Sequence, residues 1–267
     1  MAVRLRRVAV FGAVLAAALA AGAGGARPLL GQPFDVLPLP NGRLVVTDLP
    51  AGSVYELDPV RKTGRLLGRV SQARELARLP DGRLLVTSGA RVLALTPGTG
   101  KTTVYATARS YILGIALAPD GWLYASENLT GHEETTIVRL RRGMREVLAQ
   151  DLRGVHGILL TADGVILSEA YAGRVLRLDP SRRKTEVLAT GLGNPSFTIP
   201  AGAGGYFVSE FSGNRISHLW PDGHVTKVAD VFKPGSIAFD SHHRIVGVTN
   251  EGTVLRIVHG RAQTIYP

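Results

Sequence analysis

Cysteine is absent from the 267-residue chain. This absence excludes disulfides, thiol catalysis, thiolate metal sites and a lipid-modified cysteine near the N-terminus. A chain of this kind must be stabilised by its apolar core alone. The hydrophobic content of 45% is sufficient for one large core, so we expect a single folded unit after the N-terminal segment.

Helical periodicity is also absent after residue 26, as are a phosphate loop, a nucleotide-binding fingerprint and a Ser-His-Asp order. Acidic residues are outnumbered, with 21 Asp and Glu against 31 Lys and Arg and a formal net charge of +10. Nucleic-acid binding would require this charge to be clustered and interleaved with aromatic residues. The arginines are instead spread along the chain, which indicates a solvated basic surface and no nucleic-acid partner.

The first 26 residues differ in composition from the rest. Arg4, Arg6 and Arg7 precede an uninterrupted apolar stretch from Val8 to Ala21, which is followed by small residues. This arrangement is typical of a secretory signal peptide. An uncleaved membrane anchor is the alternative, because residues 8–26 are almost long enough to span a bilayer. We therefore predict a secreted or extracytoplasmic protein, associated with a membrane only if this segment is retained.

A repeat of about 40 residues fills the remainder of the chain. Each unit has a turn dipeptide, a short apolar run and then a small hydroxyl residue next to a polar or acidic one. Successive turns lie 40, 39, 43, 41 and 38 residues apart. The six turns are Asn41-Gly42, Asp81-Gly82, Asp120-Gly121, Asp163-Gly164, Gly204-Gly205 and His242-His243, and the six closing pairs are Thr47-Asp48, Thr87-Ser88, Ser126-Glu127, Ser168-Glu169, Ser209-Glu210 and Thr249-Asn250.

Each unit contains four strand-like segments, most clearly the fourth, where the segments 157–161, 165–169, 174–178 and 184–189 are separated by Gly, Asp and Pro. Four antiparallel strands per 40 residues describe a propeller blade. We predict an all-β, six-bladed β-propeller over residues 27–267. The expected blades are 33–69, 70–107, 108–151, 152–191, 192–230 and 231–267. The segment 263–266 supplies the outer strand of blade six, so the ring closes without a strand borrowed from the N-terminus.

The sequences GIALAPDGWLYASEN in blade three, GILLTADGVILSEAYAGRVLRLDP in blade four and GGYFVSEFSGNRISHLWPDG in blade five carry a family resemblance. They resemble six-bladed NHL-type propellers and the superfamily of SMP-30, gluconolactonase, strictosidine synthase-like proteins and streptogramin lyases. The resemblance covers essentially the whole chain after the N-terminal segment. It implies a propeller with a ligand site at one mouth of the central channel, and it does not select one family within the superfamily.

The residues that lead each inner strand are expected to surround this mouth, where six loops converge. Alignment on the turns gives Phe34, Arg74, Leu113, His156, Ser196 and Gly235 as the leading residues, with Asp35, Glu75, Gly114, Gly157, Phe197 and Ser236 following them. The predicted ligand-binding residues are Asp35, Arg74, Glu75, His156 and Ser196.

The SMP-30 resemblance implies a divalent metal held by Glu, Asn and Asp at this mouth, but the matching positions have other residues. Gln32 stands near the expected Glu, Leu113-Gly114 replaces an Asn-containing pair, His156-Gly157 replaces an Asn-Gly pair, and Pro195-Ser196 replaces Pro-Asp. The family's metal cage is therefore not carried over. Two carboxylates and an imidazole could form another metal site. This leaves His156, Glu75 and Asp35 as candidate ligands of a divalent metal, although no cofactor is the expectation that we favour.

Two further features have structural interpretations. Asp48, Glu127, Glu169 and Glu210 recur at the end of the second strand, and recurring acids are expected to hold the backbone of adjacent turns. Blade three also has a longer acidic loop over residues 128–136, which includes His132. It is expected to be a solvated hairpin tip, with a cation site or a gate over the mouth as the alternative.

Two classes of function remain, and the sequence leaves open whether the protein is an enzyme. The first is a secreted binding propeller that recognises an extracellular protein, peptide, glycan or small molecule through a loop face. The second, implied by the resemblance, is a hydrolase or lyase that acts on a lactone or ester at the channel mouth. The departures at the metal positions favour the first.

Overall fold

The computed structural model describes residues 30–129, 133–202 and 204–266. These residues form six four-stranded antiparallel sheets, each in the strand order of the sequence. The sheets are the six blades of a β-propeller, so the predicted fold is confirmed. The signal-peptide prediction for residues 1–26 lies outside the described residues. Within the described ranges, no helix is long and apolar enough to cross a membrane.

The strand bounds follow the repeat. Blade one consists of β1 (Pro33–Pro38), β2 (Leu44–Asp48), β3 (Ser53–Asp58) and β4 (Thr63–Arg69); blade two of β5 (Leu76–Arg78), β6 (Leu84–Ser88), β7 (Arg91–Leu95) and β8 (Thr102–Thr107); blade three of β9 (Tyr111–Leu117), β10 (Leu123–Asn128), β11 (Glu134–Arg141) and β12 (Met144–Arg153). Blade four consists of β13 (Val155–Thr161), β14 (Gly164–Glu169), β15 (Arg174–Asp179) and β16 (Lys184–Ala189); blade five of β17 (Pro195–Pro200), β18 (Tyr206–Glu210), β19 (Arg215–Leu219) and β20 (Val225–Asp230); blade six of β21 (Pro234–Phe239), β22 (Ile245–Thr249), β23 (Val254–Val258) and β24 (Arg261–Tyr266).

Burial changes across each blade because neighbouring blades cover the central strands on both faces. All five residues of β2 are buried, whereas the outer strand β8 is exposed at five of its six residues. The apolar clusters span blade interfaces: Leu85 of blade two packs in one cluster with Ile115 of blade three. A single blade therefore cannot bury its own faces, and the ring is the stable unit.

Ring closure depends on packing between blades six and one. Leu30, Val36, Val246 and Tyr266 belong to one buried cluster, and β1 packs beside β21. The outer strand of blade six is β24, from the same blade, as the sequence predicted. No described residue before β1 adds a strand to the ring.

A β-bulge near the start of the inner strand shapes the mouth of the central channel. In blade four Val155 pairs with Glu169 and Gly157 with Ser168, so His156 is an additional residue with no partner of its own. Similar register breaks occur in β1, β9, β17 and β21. A bulge redirects the side chain of the inserted residue. The leading residues found by aligning the turns are these bulge residues in blades one, three, four, five and six.

The repeated hydroxyl residue stabilises the bulge. Thr47 Oγ1 accepts the backbone N–H of Asp35 at 3.0 Å, and equivalent bonds join Thr87 to Glu75, Ser126 to Gly114 and Ser209 to Phe197. The extra residue leaves one N–H without a ladder partner, and the hydroxyl supplies the acceptor.

Blade six corrects one part of the sequence alignment. Pro234 pairs with Thr249, just as Pro33 pairs with Asp48 in blade one. Thr249 therefore takes the position of the repeated acid, and Val248 takes that of the hydroxyl. The pair Thr249-Asn250 was aligned one residue too far along because a threonine happens to stand at the next position.

Candidate functional site

A cavity of about 250 Å³ opens at the bulged end of the inner strands. Its walls include Phe34, Arg74, His156, Ser196 and Gly235, which lead the inner strands of five blades. Clefts of about 470 and 660 Å³ lie at the opposite end, near the turns between the first and second strands of blades three and four. The mouth cavity is smaller, but it contains the residues that are unique to single blades.

The five predicted ligand-binding residues separate into two groups. Arg74, His156 and Ser196 line the cavity. Asp35 and Glu75 do not; they are buried behind it in the channel wall, with exposures of 6% and 3%. The mouth is thus surfaced by a guanidinium, an imidazole and a hydroxyl, with two carboxyl groups beneath.

Asp35 connects blades one and two. Its Oδ2 accepts the backbone N–H of Leu76 at 2.7 Å, and its Oδ1 accepts the N–H of Val36 at 2.7 Å. Burial raises the pKa of Asp35, while the Ser236 hydroxyl and these two backbone groups oppose the rise. Both carboxyl oxygens are engaged within the protein, which assigns Asp35 to the wall.

The carboxyl oxygens of Glu75 have fewer hydrogen-bond partners than those of Asp35. Its Oε1 is buried and has no hydrogen-bond partner among the described residues. Burial raises the pKa of Glu75 well above 4.5, the charge of Asp35 adds to the rise, and Arg74 and the N–H of Ile115 oppose it. Burial therefore favours the uncharged form of this carboxyl group more than in an exposed glutamate.

His156 is held at the mouth by the bulge in β13. Its ring meets Tyr171 edge to face, with ring centroids 5.9 Å apart and an interplanar angle of 77°. Its Nε2 is buried without a hydrogen-bond partner in the described part of the chain. Burial, and secondarily the charge of Arg74, lowers the pKa of His156 to about 4. His156 is therefore a neutral imidazole at pH 7.

The Arg74 guanidinium lies near two aromatic rings. Its guanidinium carbon is 4.0 Å from the centroid of Phe34 and 5.7 Å from that of Tyr111. Nη1 donates to the Tyr111 hydroxyl over a long 3.4 Å, and the buried Nε has no partner within the described residues. Cation–π contacts orient the guanidinium but leave hydrogen-bond donors unused.

Aromatic residues in the cavity were the main component that sequence reasoning missed. Tyr171 and Phe211 both line it, and both come from the turn after the second strand, two residues after Glu169 and directly after Glu210. Alignment of the residues that follow the repeated acids would have singled them out.

The residues at the mouth do not fit a metal centre. Across residues 30–129, 133–202 and 204–266, no group of three or more His, Asp or Glu could hold a metal ion. Asp35, Glu75 and His156 are thus not assembled as a ligand set, because Asp35 has both oxygens on backbone N–H groups. At the positions where the SMP-30 resemblance implies ligands, Gln32 bonds to Asn250 and Leu113 is buried.

The repeated acids have the structural role predicted for them. Each accepts a backbone N–H from the segment that leads into its blade, and three also pair with an arginine. The bonds run from Gly31 and Gln32 to Asp48, Arg109 to Glu127, Arg153 to Glu169 and Gly193 to Glu210, and the pairs are Arg145–Glu127, Arg174–Glu169 and Arg215–Glu210.

The extended loop of blade three is shorter than the sequence suggested. Asn128 belongs to β10 and β11 begins at Glu134, so much of the segment 128–136 is strand. Arg153, at the end of the long strand β12, pairs with Glu133. His132 lies outside the described residues.

The chain matches no family model and no curated protein sequence. It is similar in structure to a virginiamycin B lyase from Staphylococcus aureus, with 15% identity over 89% of this chain and 84% of that one and a TM-score of 0.64. It is also similar to regucalcin, a calcium-binding protein from Agrobacterium tumefaciens (15%, 91% and 94%, 0.72), and to a gluconolactonase from Xanthomonas campestris (14%, 84% and 84%, 0.70). The resemblance stated from the sequence is therefore confirmed at the level of the fold.

Proposed function

We propose that this protein is an enzyme that acts on an ester or lactone bound in the mouth cavity. The proposal reverses the preference drawn from the sequence, in which a binding propeller came first. Structural neighbours include a lyase and a gluconolactonase, and this favours the enzyme. Fold likeness alone does not give an activity, because activity depends on the residues of the site.

The observation that carries the proposal is the His156 imidazole in the wall of the cavity, whose buried Nε2 has no hydrogen-bond partner in the described part of the chain. A buried polar atom without a partner is costly to the folded state and is characteristic of sites where a ligand supplies the missing contact. The imidazole is neutral and can accept a proton as a general base.

In a hydrolysis, the imidazole of His156 takes a proton from a water molecule as the water oxygen attacks the ester carbonyl. The C–O bond then breaks, and the leaving oxygen receives the proton from His156. Arg74 stands beside His156 as a fixed positive charge that stabilises the developing oxyanion. In this role the guanidinium replaces the metal of the SMP-30 cage, whose ligands are missing here.

The test is a panel of lactones and esters, assayed in the presence of a metal chelator. We expect turnover that falls about 10²–10⁴-fold in His156→Gln, the range for loss of a general base. His242→Gln, in the exposed turn between β21 and β22, is the matched control and should retain full activity.

Product mass separates the two reaction types, because hydrolysis adds one water and elimination adds none. A substrate that binds but is not turned over would contradict the catalytic proposal. Turnover that the chelator abolishes, or that His156→Gln leaves unchanged, would contradict the assigned mechanism.

A further inference from the structure

We infer that the mouth cavity binds a small monocarboxylate. Its carboxylate pairs with Arg74, and its flat apolar body packs against the aromatic walls. The inference rests on the proposed function in one respect, since hydrolysis of an ester or lactone releases a carboxylate, and the inference names the class of acid that the same site would release. Binding can be measured with an unreactive acid, however, and so can be tested without turnover.

Arg74 differs from many other arginines of this chain. Several arginines on the outer parts of the blades pair with neighbouring acids, such as Arg65 with Glu56, Arg139 with Glu146 and Arg177 with Glu186. Arg74 has no ion pair with any described residue. Its donors are satisfied only by the long contact to Tyr111, and its Nε remains without an acceptor.

The two nearest carboxyl groups cannot serve as that acceptor. Asp35 uses both oxygens on backbone N–H groups. Glu75 makes no hydrogen bond to Arg74; burial raises its pKa, and the charge of Arg74 opposes that rise. Arg74 thus has no carboxylate bonded to it in the described part of the chain.

The geometry of a guanidinium selects a planar anion. At the end of the side chain, Nη1 and Nη2 present two parallel N–H donors, which match the two oxygens of a carboxylate. Nη1 makes only the long contact to Tyr111, Nη2 donates to no described residue, and Nε is buried behind them. Contact with the Phe34 ring restricts the guanidinium, so less side-chain entropy is lost on binding.

The cavity is small, and aromatic rings form much of its wall beside the polar residues Gln32, Asn194, Ser196 and Asn250. Phe34 and Phe197 meet edge to face with centroids 6.1 Å apart, and Tyr171 and Phe211 also contribute to the walls. Aromatic walls favour a flat apolar or aromatic group. A volume of about 250 Å³ lies below the range of sites for drug-sized ligands, which points to a molecule about the size of a single substituted ring.

The arrangement also couples the anion to His156. The charge of Arg74 is one of the causes that lower the pKa of His156. The groups that contact the imidazole or act on it electrostatically are Tyr171 and Arg74. A carboxylate bound to Arg74 would offset this charge, and the pKa of His156 should rise from about 4 when the ligand is present.

The experiment is isothermal titration calorimetry of the protein with benzoate, phenylacetate and acetate, and with benzamide as the neutral analogue of benzoate. We expect benzoate to bind, benzamide to bind at least 10-fold more weakly, and Arg74→Gln to remove this difference. Arg74→Lys keeps the charge but not the fork, and should recover only part of the affinity. Arg83→Gln, in the exposed turn after β5, removes the same charge elsewhere and should bind benzoate as the unmodified protein does.

Two further readouts separate folding from recognition. Thermal unfolding should show Arg74→Gln to be folded, and an NMR titration of the His156 ring should show the rise in pKa with benzoate in the unmodified protein. Equal binding of benzoate and benzamide, unchanged binding in Arg74→Gln, or no binding of any of the three acids would overturn the inference. Displacement of benzoate by inorganic phosphate at equal concentration would also overturn it, because the site would then attract any anion. Benzoate has no ester bond, so failure of catalysis and failure of recognition give different results.

Discussion

The two sides of the central channel are built in different ways. Between blades one, two and three, carboxyl groups lie between the inner strands: Asp35 reaches the backbone of Leu76, and Glu75 faces that of Ile115. Between blades three, four and five, backbone packs against backbone at Gly114 and Gly157. One side of the channel therefore contains titratable carboxyl groups, and the other is fixed by steric contact between backbones.

This difference explains how the mouth residues are supported. His156 lies over the glycine side, where its own carbonyl oxygen leaves no space for a Cβ on Gly114. Arg74 lies over the carboxyl side, beside two buried acids. The base is thus held by rigid packing, whereas the cation is held by contacts with aromatic rings. Three substitutions test the two sides separately.

The largest effect is expected from Gly114→Ala. A Cβ at this position would lie far inside van der Waals contact with the carbonyl oxygen of His156, and backbone cannot move as a flexible side chain can. We expect a loss of stability above about 4 kcal/mol, seen as a large fall in the midpoint of thermal unfolding.

Gly98→Ala is the control for this substitution. Nothing lies within 4 Å of a Cβ at Gly98, and this glycine does not have a positive φ. Its stability should stay within about 0.5 kcal/mol of the unmodified protein. Similar stabilities for the two variants would show that blades three and four are not in direct backbone contact.

A smaller effect is expected from Asp35→Ala on the other side of the channel. The variant leaves the buried N–H groups of Val36 and Leu76 without acceptors, and also relieves the burial of a carboxyl group. We expect a net loss of about 2–4 kcal/mol, measured by chemical denaturation. Asp163→Ala, in the exposed turn of blade four, should change stability by less than about 0.5 kcal/mol. If Asp35→Ala were as stable as the Asp163→Ala control, the proposed bridge from Asp35 to blade two would be contradicted.

The comparison also shows which parts of the site the sequence could predict. The turn-to-turn repeat fixes the position of each inner strand, and so the alignment found Arg74 and His156 without any structure. The alignment could not show that Asp35 and Glu75 are buried behind the cavity, because the orientation of these side chains depends on the backbone of the next blade. Tyr171 and Phe211 were missed because they follow second strands, where the alignment considered only the acids. Thr249 was misaligned because residue type alone cannot distinguish a one-residue shift when hydroxyl and polar residues adjoin.

The smallest effect is expected from Glu75→Gln, and it should depend on pH. In the unmodified protein the pKa of Glu75 is raised well above the value of 4.5 that applies when it is exposed. Its contribution to stability is therefore complete below pH 4.5 and is lost as the pH rises through the folded pKa, because the unfolded chain releases the proton first. Gln keeps an oxygen for the N–H of Ile115 but does not titrate.

The stability of Glu75→Gln relative to the unmodified protein should therefore increase from pH 4 to pH 8. In thermal unfolding, the difference between the two midpoints should change by about 2–4 °C for each kcal/mol. Glu186→Gln, on an exposed outer strand, should show no such trend. A difference between Glu75→Gln and the unmodified protein that stays constant across this range would mean that the carboxyl side of the channel is already ionised, and that Arg74 has an internal counterion after all.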